Sequence, residues 1–510
     1  MPGEPRELPA SPSLRFLKLE ARRRLARGEF PALHDAQRAI AREHGLASWA
    51  DLKTAIEPDS HALRQLRWII ERFGAASEPG WRAPEEPEMR EHFEERFLAA
   101  VPGLARDLAS SSHVLTSDLD IELAAPGEVR AELGDLTIHL ATDPDPPYRI
   151  AGLLAAPSQR RIADPRIAAA APARRSGDGR PPDGLIEAAN QLSIELGLPA
   201  LALAGAGPAA RAGGPAAWIL TRGWADMDRA EPLLPEHRFP APGISLAVTA
   251  VALLRLVADG QCALDDAANS RLRTMRLADE TVTIRDLLTN TSSVSDPAQL
   301  TGDTVPDLVD LLGSPVACDQ QRGVFRPSNG GAGVLGQIIA DITATPYPDA
   351  VTRLVLAPLG MRESRFPAST ADIGANAATC YAAAGPNSFA PAPPVVCTIQ
   401  AAGGLWSTPP DLLRLGTGWA ALLPAELAVQ AVTSQPARFE PGRLYSDLRP
   451  GFGWLLEPGG DRTASIAGTL PGATAELVIR VRDGRVLVIL ASRQLPVSAI
   501  DQQARSFWLS

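Results

Sequence analysis

Apolar residues change their spacing along this chain, and each spacing predicts a different element. Leu14, Leu17, Ala21 and Leu25 recur at steps of three and four, which lines one helical face, with Arg22, Arg23, Arg24 and Arg27 around the rest. Ser11 before Pro12 suits that helix as N-cap and first residue. A second helix is expected over 34–44, stopped by Gly45, and a third, short one over 48–52. Over 88–108, Phe93, Phe97, Leu98, Val101 and Leu104 predict one amphipathic helix. The alternation then tightens in 120–123, 129–133, 136–141 and 148–154, predicting a meander of strands behind that helix. Residues 158–182, rich in Arg, Ala, Pro and Gly, read as a linker. Beyond it lie helical runs at 246–259, 283–288, 333–342 and 410–422. Two β-branched runs, 475–480 and 486–491, flank Asp483-Gly484 as a hairpin would, and 500–508 is expected as a helix on that sheet. The organisation is α+β and multidomain: a helical module at 1–60, a small helix-plus-meander domain at 61–157, the linker, and a large domain at 183–510.

Composition narrows the function classes. The chain has 510 residues, 45% hydrophobic and 21% charged, enough to bury a substantial core. A net charge of -10 argues against nonspecific nucleic-acid binding, which depends on neutralising phosphates. No apolar run approaches membrane-spanning length, and residues 1–10 lack an apolar signal core, so no membrane partner is expected. Cys262, Cys318, Cys380 and Cys397 form no C-x-x-C pair, so no metal or cofactor is expected. Free thiols in a reducing cytoplasm are the expectation. The sharpest compositional fact is an absence. The last lysine is Lys53 and the last histidine is His237, so most of the large domain lacks the two side chains that usually deprotonate a serine nucleophile.

Ordered strings identify what the large domain resembles. Thr221-Arg222-Gly223 with Ala225-Asp226, then Phe239, Leu256 with Gly260, and Leu264-Asp265-Asp266 come first. Thr283-Ile284-Arg285 with Leu287-Leu288-Thr289, Ser328-Asn329 with Leu335-Gly336, and Pro358-Leu359-Gly360-Met361 follow. Gly403-Gly404 with Ser407-Thr408 and Asp411-Leu412, and finally Gly468 with Pro471-Gly472, complete the set. In this order they resemble the β-lactamase-related family, the class C and penicillin-binding-type serine hydrolases. That resemblance implies a transpeptidase-like fold, an antiparallel sheet flanked by helices. The domain at 61–157 resembles the steroid-isomerase-like or cystatin-like unit ahead of some actinobacterial serine hydrolases. The run from Asp35 to Trp49 resembles a small helical module of actinobacterial multidomain and ankyrin-type proteins, which implies a docking or scaffold role with a protein partner.

The family's chemistry needs a serine at a helix start and a lysine three residues on, one turn along the same face. It adds a tyrosine two before an asparagine, and a Lys or His two before a last-strand glycine. Here Gly243 stands at the serine, Leu246 at the lysine, Pro327 at the tyrosine and Ile466 at the last-strand base. Asn290 replaces the usual histidine of the Leu-Leu-Thr string. No catalytic residue is assigned. Ser245 lies near, but Val248 stands three residues on, so it has no base and is expected to make a local backbone bond. Ser292 and Ser328 read as turn or cap residues. The oxyanion donors survive as backbone N–H groups of Gly243 and Thr469, and Asn329 is in place.

The expected function is therefore a non-hydrolytic fold relative, a pseudoenzyme that binds a small-molecule ligand or a protein partner. Its expected ligand contacts are Gly243, Ser245, Asn290, Asn329, Gly468 and Thr469, in an apolar cleft lined by Leu246 and Ile466. Two alternatives stand beside it. One is a repurposed cyclase, isomerase or lyase using Asp286, Arg322 or Arg326 for proton work. The other is an unconventional serine hydrolase or acyltransferase. His92, His113 and His139 mark a further possible activity in the second domain, although His139 reads as a satisfied structural histidine.

Overall fold

The structure, a computed structural model, describes residues 33–44, 61–77, 81–100, 119–125, 127–133, 136–143, 145–157, 162–207, 217–297, 300–318, 322–385, 387–439, 448–457, 463–496 and 498–509, with scattered positions at 17–30 and 104–108. Two units form, Met1–Pro157 and Ser158–Ser510. The expected helix at 48–52 and His113 lie outside the described residues.

In the first unit, α1 (Leu33–Glu43) buries Ala36, Ile40 and Ala41, and upstream Leu17 and Ala21 are buried. Of the arginine cluster, Arg23 is exposed and Arg24 pairs with Glu20 and Glu43, as on a solvated face. The helix α2 (His61–Gly74), absent from the sequence reading, buries Ala62, Leu63, Leu66, Ile69 and Phe73. Its apolar face meets an antiparallel meander of β1 (Leu119–Ala125), β2 (Glu128–Leu133), β3 (Leu136–Thr142) and β4 (Ile150–Pro157). The single helix expected over 88–108 is corrected. It breaks into α3 (Glu86–His92) and α4 (Glu95–Ala100) because Phe93 turns extended, at φ -117 and ψ 146. Phe93 there bridges Ile150, becomes fully buried and stacks on Phe97. His139, expected as a satisfied structural histidine, is exposed on β3.

The second unit is built on one large antiparallel sheet. The linker expected at 158–182 is corrected, because Ile162 and Ile167 are buried with Met227, Tyr381 and Phe389. Asp164 caps α5 (Pro165–Ala168), and β5 (Arg174–Ser176) joins the sheet edge. Hydrogen bonds rather than apolar content fix this stretch, which hid it from hydrophobic patterning. Asp164 accepts from the Arg166 side chain and from the backbone N–H groups of Arg166 and Phe389. Burial pushes its pKa up, but these hydrogen bonds outweigh burial and hold the carboxyl below its ordinary value. A depressed folded-state pKa contributes stability that is complete above the unfolded value of about 4 and is lost as pH falls through the folded one. Urea unfolding of Asp164→Asn should therefore show lower stability than the parent at pH 7, with the gap closing at low pH.

After α6 (Leu185–Glu195), β6 (Ala200–Ala206) is buried on both faces. Its alanines, Ala200, Ala202, Ala204 and Ala206, face the main core, while Leu201 and Leu203 face α6 and the C-terminal helix. Two-sided burial removes the alternation that marks a strand, so β6 escaped sequence reading. Its neighbour β7 (Ala217–Asp226) lays Trp218 across Gly205, where a Cβ would meet the indole at 2.4 Å. Against the sheet lies α7 (Ile244–Ala258), apolar almost all round and buried along most of its length. Then come α8 (Ile284–Leu288), α9 (Leu308–Leu312), α10 (Asn329–Thr343), α11 (Tyr347–Val351), α12 (Gln400–Gly403) and α13 (Pro409–Gly418). The sheet continues with β8 (Leu455–Leu456), β9 (Thr463–Leu470), β10 (Ala473–Arg480) and β11 (Arg485–Ala491), and β11 pairs with β6. The closing helix α14 (Ser498–Trp508) lies on the sheet, with Trp508 Nε1 donating to the Val486 carbonyl.

Candidate functional site

The region expected to hold the chemistry is where the start of α7 meets the edge of β9. On that edge β8 pairs only with Ala464 and Ser465, which leaves the rest of β9 without a strand partner there. The N-terminus of α7 fills the gap. Gly243 sits at its N-cap position with helical dihedrals, φ -57 and ψ -29. The approach is closer than any side chain allows. A Cβ built on Gly243 would lie 2.0 Å from the Ala467 oxygen and 2.3 Å from its carbonyl carbon. A Cβ on Gly468 would lie 2.4 Å from the Gly243 nitrogen. Two glycines are thus required for helix and strand to touch. The Ala467 carbonyl oxygen occupies the space where a residue-243 side chain would begin, at the helix end that favours negative charge.

This corrects the expected open cleft. Ile466 is only 5% exposed and belongs to the core, and half-buried Leu246 packs against the buried cluster of Ala332, Cys397, Ile399 and Ala402. Ser245 is corrected as a ligand contact, because it is 0% exposed. Its Oγ donates to the Ala241 carbonyl at 3.3 Å and accepts from Leu405 N–H at 2.9 Å, which ties α7 to the α12 turn. Pro327 is exposed. Gly468 and Thr469 are half-buried on β9, and Gln494 donates to the Thr469 hydroxyl at 3.4 Å.

The polar residues of the region meet around Asp296, which sequence reading missed. Gly330 N–H donates to its Oδ1 at 2.8 Å and Asn329 Nδ2 to its Oδ2 at 3.1 Å. Ser328 caps α10 by accepting from Gly331 N–H, with its hydroxyl hydrogen directed to the Val294 carbonyl and Asp296. Asn290, at φ 55, accepts from Ser328 N–H. Asparagine tolerates that left-handed conformation better than most residues. Ser292 is 1% exposed, with Val294 N–H directed at its oxygen. The cluster is a set of mutually satisfied caps and turns. Its sequence signal was the spacing from Asn290 to Asp296, ahead of Ser328-Asn329.

The remaining proton-transfer candidates are already engaged. Asp286 closes a capping box with Thr283 and pairs with Arg322, so neither is free for the proton work considered for it. Arg326 donates its backbone N–H to Asn290. His237, 4% exposed, accepts from Leu234 N–H at Nδ1 and faces Glu231 at Nε2. Cys397 lies against Gly403, and burial pushes its thiol up to about 11, which keeps it protonated near neutral pH. Among the described residues no cluster of His, Cys, Asp or Glu could hold a metal ion, and no helix is long and apolar enough to cross a membrane.

A helix of this kind, entering a nine-stranded antiparallel sheet at the edge of its antepenultimate strand, defines the β-lactamase/penicillin-binding class of fold. The beta-lactamase family pattern matches residues 194–506, and the chain belongs to that family. Its relatives include a putative penicillin-binding protein, PbpX, of Bacillus subtilis (strain 168), 26% identical over 250 residues, covering 48% of this chain and 59% of the relative. Esterase EstB of Burkholderia gladioli is 31% identical over 173 residues, covering 28% and 42% respectively. Protein Rv1367c of Mycobacterium tuberculosis is 31% identical over 232 residues, covering 38% and 56%. The chain thus spans between 42% and 59% of these relatives' length. Two solved structures share the fold, each with a TM-score of 0.52: the octameric penicillin-binding protein homologue from Pyrococcus abyssi (20% identical, covering 63% of this chain and 76% of that one) and a class C beta-lactamase (19%, covering 64% and 94%).

Proposed function

We propose that the family unit of this chain forms no acyl-enzyme and works as a non-hydrolytic ligand- or partner-binding protein, a pseudoenzyme of the β-lactamase fold. One observation carries the reading: the 2.0 Å separation between a Cβ at position 243 and the Ala467 oxygen leaves no room for a nucleophile where the family places its serine. Leu246, Pro327 and Ile466 at the other family positions supply no base. The serines nearby, Ser245, Ser292 and Ser328, are held in backbone hydrogen bonds and face no lysine or histidine. The four free cysteines support a reducing, cytoplasmic setting, and the N-terminal helices are the surface proposed for a protein partner.

The names of the relatives choose the substrates for the test. Purified full-length protein should release p-nitrophenol from p-nitrophenyl butyrate, and open benzylpenicillin, no faster than heat-denatured protein at the same concentration. Saturable turnover abolished by Ser245→Ala, Ser292→Ala or Ser328→Ala would establish an unconventional hydrolase instead.

A further inference from the structure

A second site lies along α10. Between α10, α11 and α12 there is a cavity of about 510 Å³, within the size range of small-molecule sites. Gly243, Leu246 and Ile466 are not among its walls, although Ile399 on its wall belongs to the buried cluster that Leu246 packs against. Its lining is mostly apolar, with Leu308, Ile399 and the Tyr347 ring among the larger groups. The Tyr347 hydroxyl is turned to Thr249, 2.7 Å away, so the tyrosine offers the cavity its ring rather than its polar end.

Two charged groups border this space, and they differ in what they have left to bind. Asp341 is 7% exposed, and both its oxygens are engaged: Oδ1 accepts from Gln337 Nε2 at 2.8 Å and Oδ2 from Arg273 N–H at 2.6 Å. Arg273 itself is exposed, and its guanidinium has no hydrogen-bond or ion-pair partner among the described residues. Asp341 has its hydrogen-bonding oxygens taken up by neutral donors, so the charged group still open to a hydrogen-bonded ligand is the Arg273 guanidinium, and it stands beside an apolar cavity. From this we infer that the cavity binds a small carboxylate with an apolar body, its chain against Leu308, Ile399 and Tyr347 and its carboxylate paired with Arg273. The inference goes beyond the non-hydrolytic reading and stands whether or not the family site turns over.

Isothermal titration of the full chain with sodium octanoate, octanamide and octylamine tests it. Octanoate should bind saturably at one site, more tightly than either of the others. An exposed guanidinium–carboxylate pair contributes modestly, so Arg273→Ala should weaken octanoate about threefold to fivefold. Arg353→Ala, an exposed arginine outside the cavity, should leave it unchanged. Ala340→Trp, on the cavity wall, should lower the affinity at least about tenfold. If that variant does not fold, Arg273→Glu replaces it and should bind more weakly than Arg273→Ala. Absence of saturable octanoate binding, octylamine binding as tightly as octanoate, or affinity unchanged in the Arg273 variants would overturn the inference.

Discussion

Gly243→Ser should lose about 3 kcal/mol of stability and gain no hydrolytic activity. A serine at the position to which the family resemblance points looks like the shortest route to a nucleophile, but the packing forbids it. The added Cβ would fall 2.0 Å from the Ala467 oxygen, an atom of the sheet backbone that cannot rotate aside as a side chain would. Overpacking a core costs about 1–3 kcal/mol, and a clash with backbone belongs at the upper end. Relief requires α7 to withdraw from β9, which disturbs the Ser245 hydrogen bonds to Ala241 and Leu405. Adding Leu246→Lys should not produce activity, because the ammonium would replace an apolar group packed against buried Ala332, Cys397, Ile399 and Ala402, where desolvation lowers its pKa and adds a further penalty. Urea denaturation read by circular dichroism measures the loss. Gly207→Ala is the control, because nothing lies within 4 Å of a Cβ there, and its change should stay within about 0.5 kcal/mol.

Elements that bury one face are legible in the sequence, and those buried on two sides or held by polar contacts are not. The 3.6-residue period and its caps placed α7, α8, α10 and α13 close to where they form, and β-branched runs around Asp483-Gly484 placed β10 and β11. β6 was invisible because its Ala-rich run is covered on both sides, and α5 and β5 because hydrogen bonds to Asp164 and strand pairing, not apolar residues, order them. In the smaller unit, one phenylalanine turned extended divided a helix that periodicity reads as continuous.

At the site, residue identities were legible and their consequences were not. The sequence names Gly243 and Gly468, and each glycine alone suggests an emptied pocket that keeps its backbone donors. Only the packing reveals that the two glycines let helix and strand close on each other, so that the Ala467 carbonyl takes the space. Ser245 shows the same limit. Its position beside the expected nucleophile suggested a ligand contact, whereas its oxygen is a tie between α7 and the turn at Leu405. Asp296 and the hydrogen bond from Arg273 N–H to Asp341 are not legible because these contacts join segments distant in sequence.

Covalent labelling is the second large, all-or-none expectation, and it bears on the chemistry itself. A fluorophosphonate reacts with a serine only when a neighbouring group removes its proton, so it reports an activated nucleophile without requiring the right substrate. The serines around α7 and α10 have backbone partners and no lysine or histidine beside them, and burial keeps the Cys397 thiol protonated. Intact-mass spectrometry of the full chain after incubation with excess fluorophosphonate, and separately with benzylpenicillin, should return the unmodified mass in both cases. A single stoichiometric adduct mapped to a serine near the start of α7 or α10 would contradict the account.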